Sequence, residues 1–193
     1  MFRIILLVSL IFNDFIALYA EGVDESAIIE PAIVFSDVTE EAGITFRHFD
    51  GRQGDRYFVE TIGSGCAFLD YNNDGHLDLY LVSANNFPQS PDEDNSYANQ
   101  LYQNTGSGSF VLVAAGVEDQ GYGTGVAVAD YDGDGWLDLY LTNFGSNRLF
   151  RNQGDGTFQD LTQQAGVDDP RWSAGAAFAD YDRDGWLDLY LTN

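Results

Sequence analysis

The sequence contains one cysteine and no lysine, and it has few basic residues of any kind. A single cysteine, Cys66, excludes an intrachain disulfide framework. Eight basic residues, all of them arginine, stand against 31 acidic ones, which gives a formal net charge of −23. Nucleic acids and anionic membranes are bound by basic surfaces, so neither is an expected partner. Sustained 3.6-residue periodicity is also missing, which argues against a helical repeat.

Aromatic residues and glycine are abundant instead. Aromatic residues make up 15% of the chain, and there are 21 glycines among 193 residues. This combination suits short strands and tight turns better than long helices. Hydrophobic residues reach 45%, so a chain of this length can bury a core. Cys66 lies in the apolar run 66–69, and we therefore expect it to be a small buried hydrophobic residue.

The beginning of the chain has the pattern of an export signal. Arg3 supplies a positive charge, residues 4–12 are almost uniformly apolar, and residues 18–20 resemble a cleavage site. The apolar run is too short to span a bilayer stably, although an uncleaved membrane anchor is the alternative. We therefore expect a signal peptide at 1–20 and a linker at 21–34. The mature protein is expected to be extracellular or periplasmic, with no membrane insertion after cleavage.

From residue 35 onward the chain repeats itself, and repeats of this length indicate stacked structural units. The segments 63–71, 123–131 and 173–181 align without gaps, and they continue into the matching blocks 72–81, 132–141 and 182–191. A second pair of similar segments, 99–110 and 147–158, follows the first two blocks. The unit is therefore a strand, an acidic loop, a strand, a Gly-rich hairpin and another strand.

Alternating apolar and polar residues predict the strands. Within the segment 137–141 the leucines lie on one face, with Asp138 and Tyr140 on the other. Four short strands in about 50 to 60 residues are typical of a propeller blade, and an open β-solenoid is the alternative. We predict an all-β fold of about three propeller-type blades in an incomplete ring. The polar, proline-containing segment 85–98 is expected to be an exposed insertion.

Three acidic loops share one register; we call residues 70–78 loop 1, 130–138 loop 2 and 180–188 loop 3. Positions 1, 3, 5 and 9 are Asp70, Asn72, Asp74 and Asp78 in loop 1, Asp130, Asp132, Asp134 and Asp138 in loop 2, and Asp180, Asp182, Asp184 and Asp188 in loop 3. Position 6 is always glycine, which permits a sharp turn around an ion. Position 7 offers its backbone carbonyl and is His76, Trp136 or Trp186.

These ligands are all oxygen atoms, which favours a hard cation. Calcium accepts such flexible oxygen sites, magnesium is the weaker alternative, and zinc lacks its usual ligands here. An EF-hand would need Glu at position 12, which is leucine in each loop. Metal-free acidic turns are the other interpretation, but three loops in the same register favour divalent ions. Loop 1, with Asn72 in place of an aspartate, is expected to bind most weakly.

The segment 129–141, Ala-Asp-Tyr-Asp-Gly-Asp-Gly-Trp-Leu-Asp-Leu-Tyr-Leu, together with 147–158, resembles the FG-GAP/VCBS repeat. That repeat builds the calcium-loaded blades of integrin α-like propellers. The opening segment 35–48 resembles the start of the cartilage acidic protein family, whose bacterial members often carry a C-terminal ASPIC/UnbV segment. The resemblance covers 35–193 and implies a seven-bladed propeller with an extracellular recognition role. With three loops and no ASPIC/UnbV segment, the sequence is expected to be an N-terminal fragment.

No catalytic constellation is visible in the sequence. Of the two histidines, His76 lies in loop 1, and His48 has no evident nucleophile or carboxylate partner. A Gly-x-Ser-x-Gly motif is missing. We therefore predict a secreted calcium-binding scaffold, not an enzyme, that recognises an unidentified extracellular protein or glycan, as in cell adhesion. The alternative is a secreted metal-dependent hydrolase or lyase built on a propeller.

Overall fold

The computed structural model describes residues 34–52, 54–85 and 97–193, and nearly all of its regular structure is β-strand. The strands are β1 Cys66–Leu69, β2 Asp78–Leu81, β3 Gln100–Asn104, β4 Phe110–Val113, β5 Tyr122–Ala129, β6 Asp138–Asn152, β7 Phe158–Asp160, β8 Gly175–Ala179 and β9 Asp188–Thr192. A short 3-10 helix, Phe58–Thr61, and the four-residue helix α1, Thr162–Ala165, complete the regular elements of the described residues. The all-β prediction is confirmed.

Several sequence predictions lie outside the described residues. These are the signal peptide at 1–20, nearly all of the linker that follows it, and most of the predicted insertion, residues 86–96. Within the part of the chain that the structure describes, no helix has the length and apolar character needed to cross a membrane.

The strands form three antiparallel sheets, with the orders β1-β2-β3-β4, β5-β6-β7 and β8-β9. We call them sheets 1, 2 and 3. In sheet 2 the long strand β6 corresponds in sequence to both β2 and β3. Its chain reverses near Gly145, where φ is +108°, and the backbone N–H of Asn152 lies 2.8 Å from Oδ1 of Asp138. Sheets 1 and 2 are therefore equivalent blades, and sheet 3 contains the first two strands of the same unit.

Each acidic loop closes the hairpin at the start of its sheet. The residue before position 1 pairs with position 9 in every case: Leu69 with Asp78, Ala129 with Asp138, and Ala179 with Asp188. Loop length and strand register are therefore the same in the three sheets. This arrangement agrees with the prediction of about three incomplete propeller-type blades.

The segment that precedes each blade covers its leucine face. Ala42 and Ile44 pack with Leu79 and Leu81 of β2, and the N–H of Phe110 donates to the carbonyl of Ala42 at 2.7 Å. The same arrangement recurs one blade later, where Ala115 and Val117 pack with Leu139 and Leu141 of β6. The repeated Ala-Gly-Ile/Val sequence therefore forms the layer between adjacent sheets.

Sheets 1 and 2 share one core across this layer. Tyr80 of β2 is fully buried, and its hydroxyl donates to the carbonyl of Val117 at 2.7 Å. On β6, Asp138, Leu139, Tyr140 and Leu141 are all fully buried. Both faces of this part of β6 are therefore covered, because neighbouring sheets pack on either side of sheet 2. Its alternating sequence predicted only one buried face.

The prediction that Cys66 is buried is wrong. Cys66 is a free, exposed thiol at the first residue of β1. Strand β1 is at the edge of sheet 1, and only its last residue, Leu69, is buried. An edge strand has a paired neighbour on one side only, so the apolar run around Cys66 does not place the residue in the core.

Candidate metal centre

The carboxylate at position 1 organises each acidic loop. In loop 2, Oδ1 of Asp130 accepts the N–H of Asp134 at 3.0 Å, and Oδ2 accepts the N–H of Gly135 at 2.9 Å. The corresponding two bonds form in loop 1 and in loop 3. Gly135 has φ of +90°, a region that residues with a side chain rarely adopt. The aspartate and the glycine of the repeat are therefore both required by the backbone path.

The carboxylates at positions 3 and 5 continue the turn and keep one oxygen each outside it. Oδ1 of Asp132 accepts the N–H of Asp134 at 3.3 Å, and Oδ1 of Asp134 accepts the N–H of Trp136 at 3.0 Å. Aspartates often bond the backbone two residues ahead in this way. Their Oδ2 atoms make no such bond to the loop backbone and instead accept hydrogen bonds from the side chain of Arg151.

The aspartate at position 9 joins the loop to two strands. Asp138 is fully buried; its Oδ2 accepts the N–H of Tyr131 at 3.1 Å and its Oδ1 accepts that of Asn152 at 2.8 Å. Asp78 makes the same pair of bonds in sheet 1. Burial raises the pKa of Asp138 to about 6, against the effect of these two hydrogen bonds. A nearby divalent ion would favour the ionised carboxylate and lower that pKa again.

The side chain at position 7 packs on the glycine hairpin of its own repeat. A Cβ placed on Gly154 would lie 2.8 Å from the indole of Trp136, and one on Gly106 would lie 2.7 Å from the ring of His76. The ring at position 7 therefore needs a glycine opposite it. The predicted role of the position-7 backbone carbonyls as ligands, including that of Trp186, stays a prediction.

Carboxylate oxygens converge in two of the three loops. In loop 2, Asp130, Asp132 and Asp138 each place one oxygen within 4.8 Å of the others. In loop 3 the corresponding group is Asp180, Asp182 and Asp184. In loop 1, Asn72 occupies position 3, and its amide nitrogen donates to Asp74 at 2.9 Å. The donor sets of loops 2 and 3 fit a hard cation such as calcium. The ligand roles of all the predicted residues of loops 1, 2 and 3, including Asp134 and Asp188, stay predictions.

An arginine that the sequence analysis missed contacts loop 2. Arg151, in the second half of β6, donates through Nε to Oδ2 of Asp132 at 2.6 Å and through Nη2 to Oδ2 of Asp134 at 2.8 Å. Its counterpart in the repeat alignment is Gln103, on β3. The repeat alignment shows this charge difference next to the hairpin, and it was the sequence feature that could have indicated the contact of Arg151 with loop 2.

Neighbouring loops also contact each other. The side-chain amide of Asn152 donates to the carbonyl of Tyr71 in loop 1 at 2.8 Å and to that of Leu137 at 3.2 Å. Asn73 of loop 1 donates to the carbonyl of Gly135 in loop 2 at 3.1 Å. Loops 1 and 2 therefore lie at the same end of adjacent sheets and are joined through asparagine side chains.

His48 has a hydroxyl partner, contrary to the expectation from the sequence. Its Nε2 lies 2.8 Å from Oγ of Ser64, and that hydroxyl lies 3.1 Å from the carbonyl of Gly123, to which it can donate. Among the described residues, no carboxylate makes a hydrogen bond or an ion pair with the ring of His48. The contact links the opening segment to the start of β5 and lacks the third group that orients a catalytic histidine.

Comparison with known proteins matches the repeat pattern seen in the structure. A family model described as "FG-GAP-like repeat" matches residues 70–141 and 130–191, so each match begins at position 1 of an acidic loop. Cartilage acidic protein 1 from Xenopus tropicalis is 30% identical over 171 residues. That similarity covers 79% of this chain and 23% of the relative. The chain therefore spans about a quarter of the length of this relative.

Proposed function

Because the chain belongs to the FG-GAP-like repeat family, we propose that it is an extracellular, calcium-binding repeat protein that serves as a recognition scaffold. In this proposal calcium is structural and holds each acidic hairpin in register. The observation that carries the proposal is the convergence of three carboxylates within 4.8 Å in both loop 2 and loop 3. The oxygen-only donor set favours a hard cation, and calcium tolerates irregular oxygen coordination better than magnesium does.

Calcium would offset the charge that the fold gathers at these loops. The chain carries a formal net charge of −23. Because it has one cysteine, no intrachain disulfide can offset the destabilising repulsion between these charges. Loop 2 brings Asp130 and Asp132 next to Asp138, whose pKa burial has already raised to about 6. Ionised carboxylates at this spacing repel one another, and a divalent ion turns that repulsion into attraction.

The recognition role rests on similarity and on the lack of a catalytic arrangement among the described residues. The relative that is 30% identical is named for cartilage, and we base the proposed extracellular location on that name and on the repeat family. The alternative, a metal-dependent hydrolase or lyase, has the His48–Ser64 contact in its favour, but the Ser64 hydroxyl also has the carbonyl of Gly123 as an acceptor. We propose an extracellular protein or glycan as the partner, and a glycan screen with and without chelator separates these two classes.

Thermal unfolding followed by circular dichroism tests the calcium proposal. A ligand that binds only the folded state adds about 2.7 kcal/mol per site at a hundredfold excess over its Kd, so three sites would add about 8 kcal/mol. We expect a cooperative β-sheet melt in millimolar calcium, a much lower melting temperature in chelator, and partial rescue by magnesium. A melt that chelator leaves unchanged would show that the loops are ordinary turns.

A matched pair of variants separates metal binding from general charge repulsion. Asp182→Asn introduces the residue that loop 1 already carries at the same position, Asn72, and removes one predicted ligand charge. Glu118→Gln removes one charge from an exposed residue outside the loops. We expect only Asp182→Asn to raise the calcium concentration needed for half-maximal stabilisation. Equal shifts in both variants would mean that calcium acts through overall charge.

A further inference from the structure

Arg151 contacts one oxygen on each of two predicted metal ligands of loop 2. Its guanidinium bridges Oδ2 of Asp132 and Oδ2 of Asp134, at 2.6 and 2.8 Å. The Oδ1 atoms of the same aspartates already accept backbone N–H groups of the loop. A guanidinium presents a fixed fork of donors and is always charged, so it acts here as a monovalent cation built into the chain.

Loops 2 and 3 differ in which carboxylates converge. In loop 3 the converging group includes the position-5 residue, Asp184. In loop 2 it includes the position-9 residue, Asp138, while the position-5 residue Asp134 is paired with Arg151. The two loops have aspartates at the same four positions, but they differ in the contact with Arg151, in the residue at position 4 (Gly133 or Arg183) and in the burial of position 9.

The first repeat supplies a neutral version of the same position. Gln103 corresponds to Arg151 in the repeat alignment, and its side chain is among the smaller causes that lower the pKa of Asp74 in loop 1. Four aspartates and one arginine give loop 2 a charge of −3, which equals that of the three aspartates of loop 1. The expectation that loop 1 binds calcium most weakly, which came from counting loop residues alone, therefore no longer follows.

We propose that Arg151 is an internal cation of loop 2 that competes with calcium for Asp132 and Asp134. When calcium is scarce, the guanidinium neutralises part of the loop and keeps it ordered. When calcium binds, the guanidinium gives up both oxygens. This inference rests on the proposed calcium binding. It makes loop 2 weaker for calcium, and less dependent on calcium for its order, than its four aspartates suggest.

The test compares Arg151→Gln, which copies Gln103, with the wild-type chain. Calcium competes with terbium, whose luminescence is excited through Trp136 in a Trp186→Phe background, at a wavelength that tyrosine does not absorb. Trp172 pairs with Phe144 at the end of sheet 2 opposite loop 2 and gives a constant background. Removing a positive charge beside a divalent ion should tighten binding about tenfold. In chelator the same variant should melt about 2–4 °C lower, because the carboxylates lose their counter-charge. A merely structural arginine would not combine tighter binding with lower metal-free stability.

Arg151→Lys and Gln103→Arg are the companion variants. The lysine keeps the charge without the fork, so its calcium affinity should lie between those of wild type and Arg151→Gln. Gln103→Arg should weaken loop 1, read through His76→Trp with Trp136 and Trp186 replaced by phenylalanine. Unchanged or weaker loop 2 affinity in Arg151→Gln would overturn the competition while leaving calcium binding intact. No metal signal from any loop of the wild-type chain would overturn both proposals.

Discussion

The segments 135–143 and 185–193 have the same nine-residue sequence and very different surroundings. In the first copy, Asp138 and Tyr140 are fully buried together with the leucines between and after them. In the second copy, Asp188 is exposed and Tyr190 is 70% exposed. Burial alternates along β9 as its sequence predicts, whereas the first six residues of β6 are all buried.

The local hydrogen bonds are nearly the same in the two copies. The N–H of Gly135 lies 2.9 Å from Asp130, and that of Gly185 lies 3.1 Å from Asp180. The difference comes from the neighbouring sheet. Tyr140 donates its hydroxyl to the carbonyl of Val167 at 2.8 Å and packs edge-on against a ring of sheet 3, whereas no described residue covers Tyr190 in this way. The repeat sequence therefore determines the hydrogen bonds of the hairpin, whereas packing between blades determines how strongly each side chain stabilises the fold.

The largest expected contrast is between Tyr140→Ala and Tyr190→Ala. Removing a fully buried aromatic side chain and its hydrogen bond should lower the free energy of unfolding by about 3–5 kcal/mol. Removing the exposed ring of Tyr190 should change it by about 0.5 kcal/mol or less. Urea unfolding in saturating calcium measures both. Similar losses in the two variants would mean that sheet 3 is covered in solution and that the contrast is not real.

A smaller contrast is expected between Asp138→Asn and Asp188→Asn. Asp138 accepts two backbone N–H groups in a buried site, and an amide would turn its own NH₂ towards one of them. We expect a loss of about 1–3 kcal/mol there. At Asp188, which is exposed and accepts the N–H of Tyr181, we expect less than about 1 kcal/mol. Urea unfolding in chelator compares the two, and equal losses would contradict the role of burial.

The pH dependence of these two variants gives an independent control. The pKa of Asp138 is raised to about 6 in the folded chain, so the folded state keeps a proton that the unfolded state releases near pH 4. In chelator, this carboxyl therefore contributes stability below pH 4 that is lost as pH rises towards 6. The stability advantage of wild type over Asp138→Asn should shrink across that window. A constant advantage would show that the pKa is not raised.

The smallest expected contrast is between Trp136→Ala and Trp186→Ala. Trp136 packs on the hairpin at Gly154, whereas Trp186 is 65% exposed. We expect losses of about 1–2 kcal/mol and about 0.5 kcal/mol, since only the first indole loses buried contacts. Calcium affinity should rise in Trp136→Ala and stay unchanged in Trp186→Ala, because a looser hairpin weakens the contact of the competing Arg151 with loop 2. If the two substitutions changed calcium affinity equally, the indole of Trp136 would not link the hairpin to loop 2.

Most of the local structure was accessible from the sequence. The register of the loops, the alternation of the strands and the glycine hairpins all depend on residues close together in the chain. Cys66 was misjudged because an apolar run does not reveal whether its strand lies at a sheet edge. The partner of His48 was missed because Ser64 lies 16 residues away on a path that no local pattern predicts.

The sequence by itself determined the repeat, the acidic loops and their backbone geometry, because Asp130 and its equivalents bond to N–H groups four and five residues ahead. Tertiary structure alone decided which of two identical strands is buried, why Asp138 resists ionisation, and that Arg151 reaches Asp132 from 19 residues away. Burial and charge pairing depend on what the folded chain brings alongside a residue. Local patterns specify a hairpin, but they do not specify its neighbours.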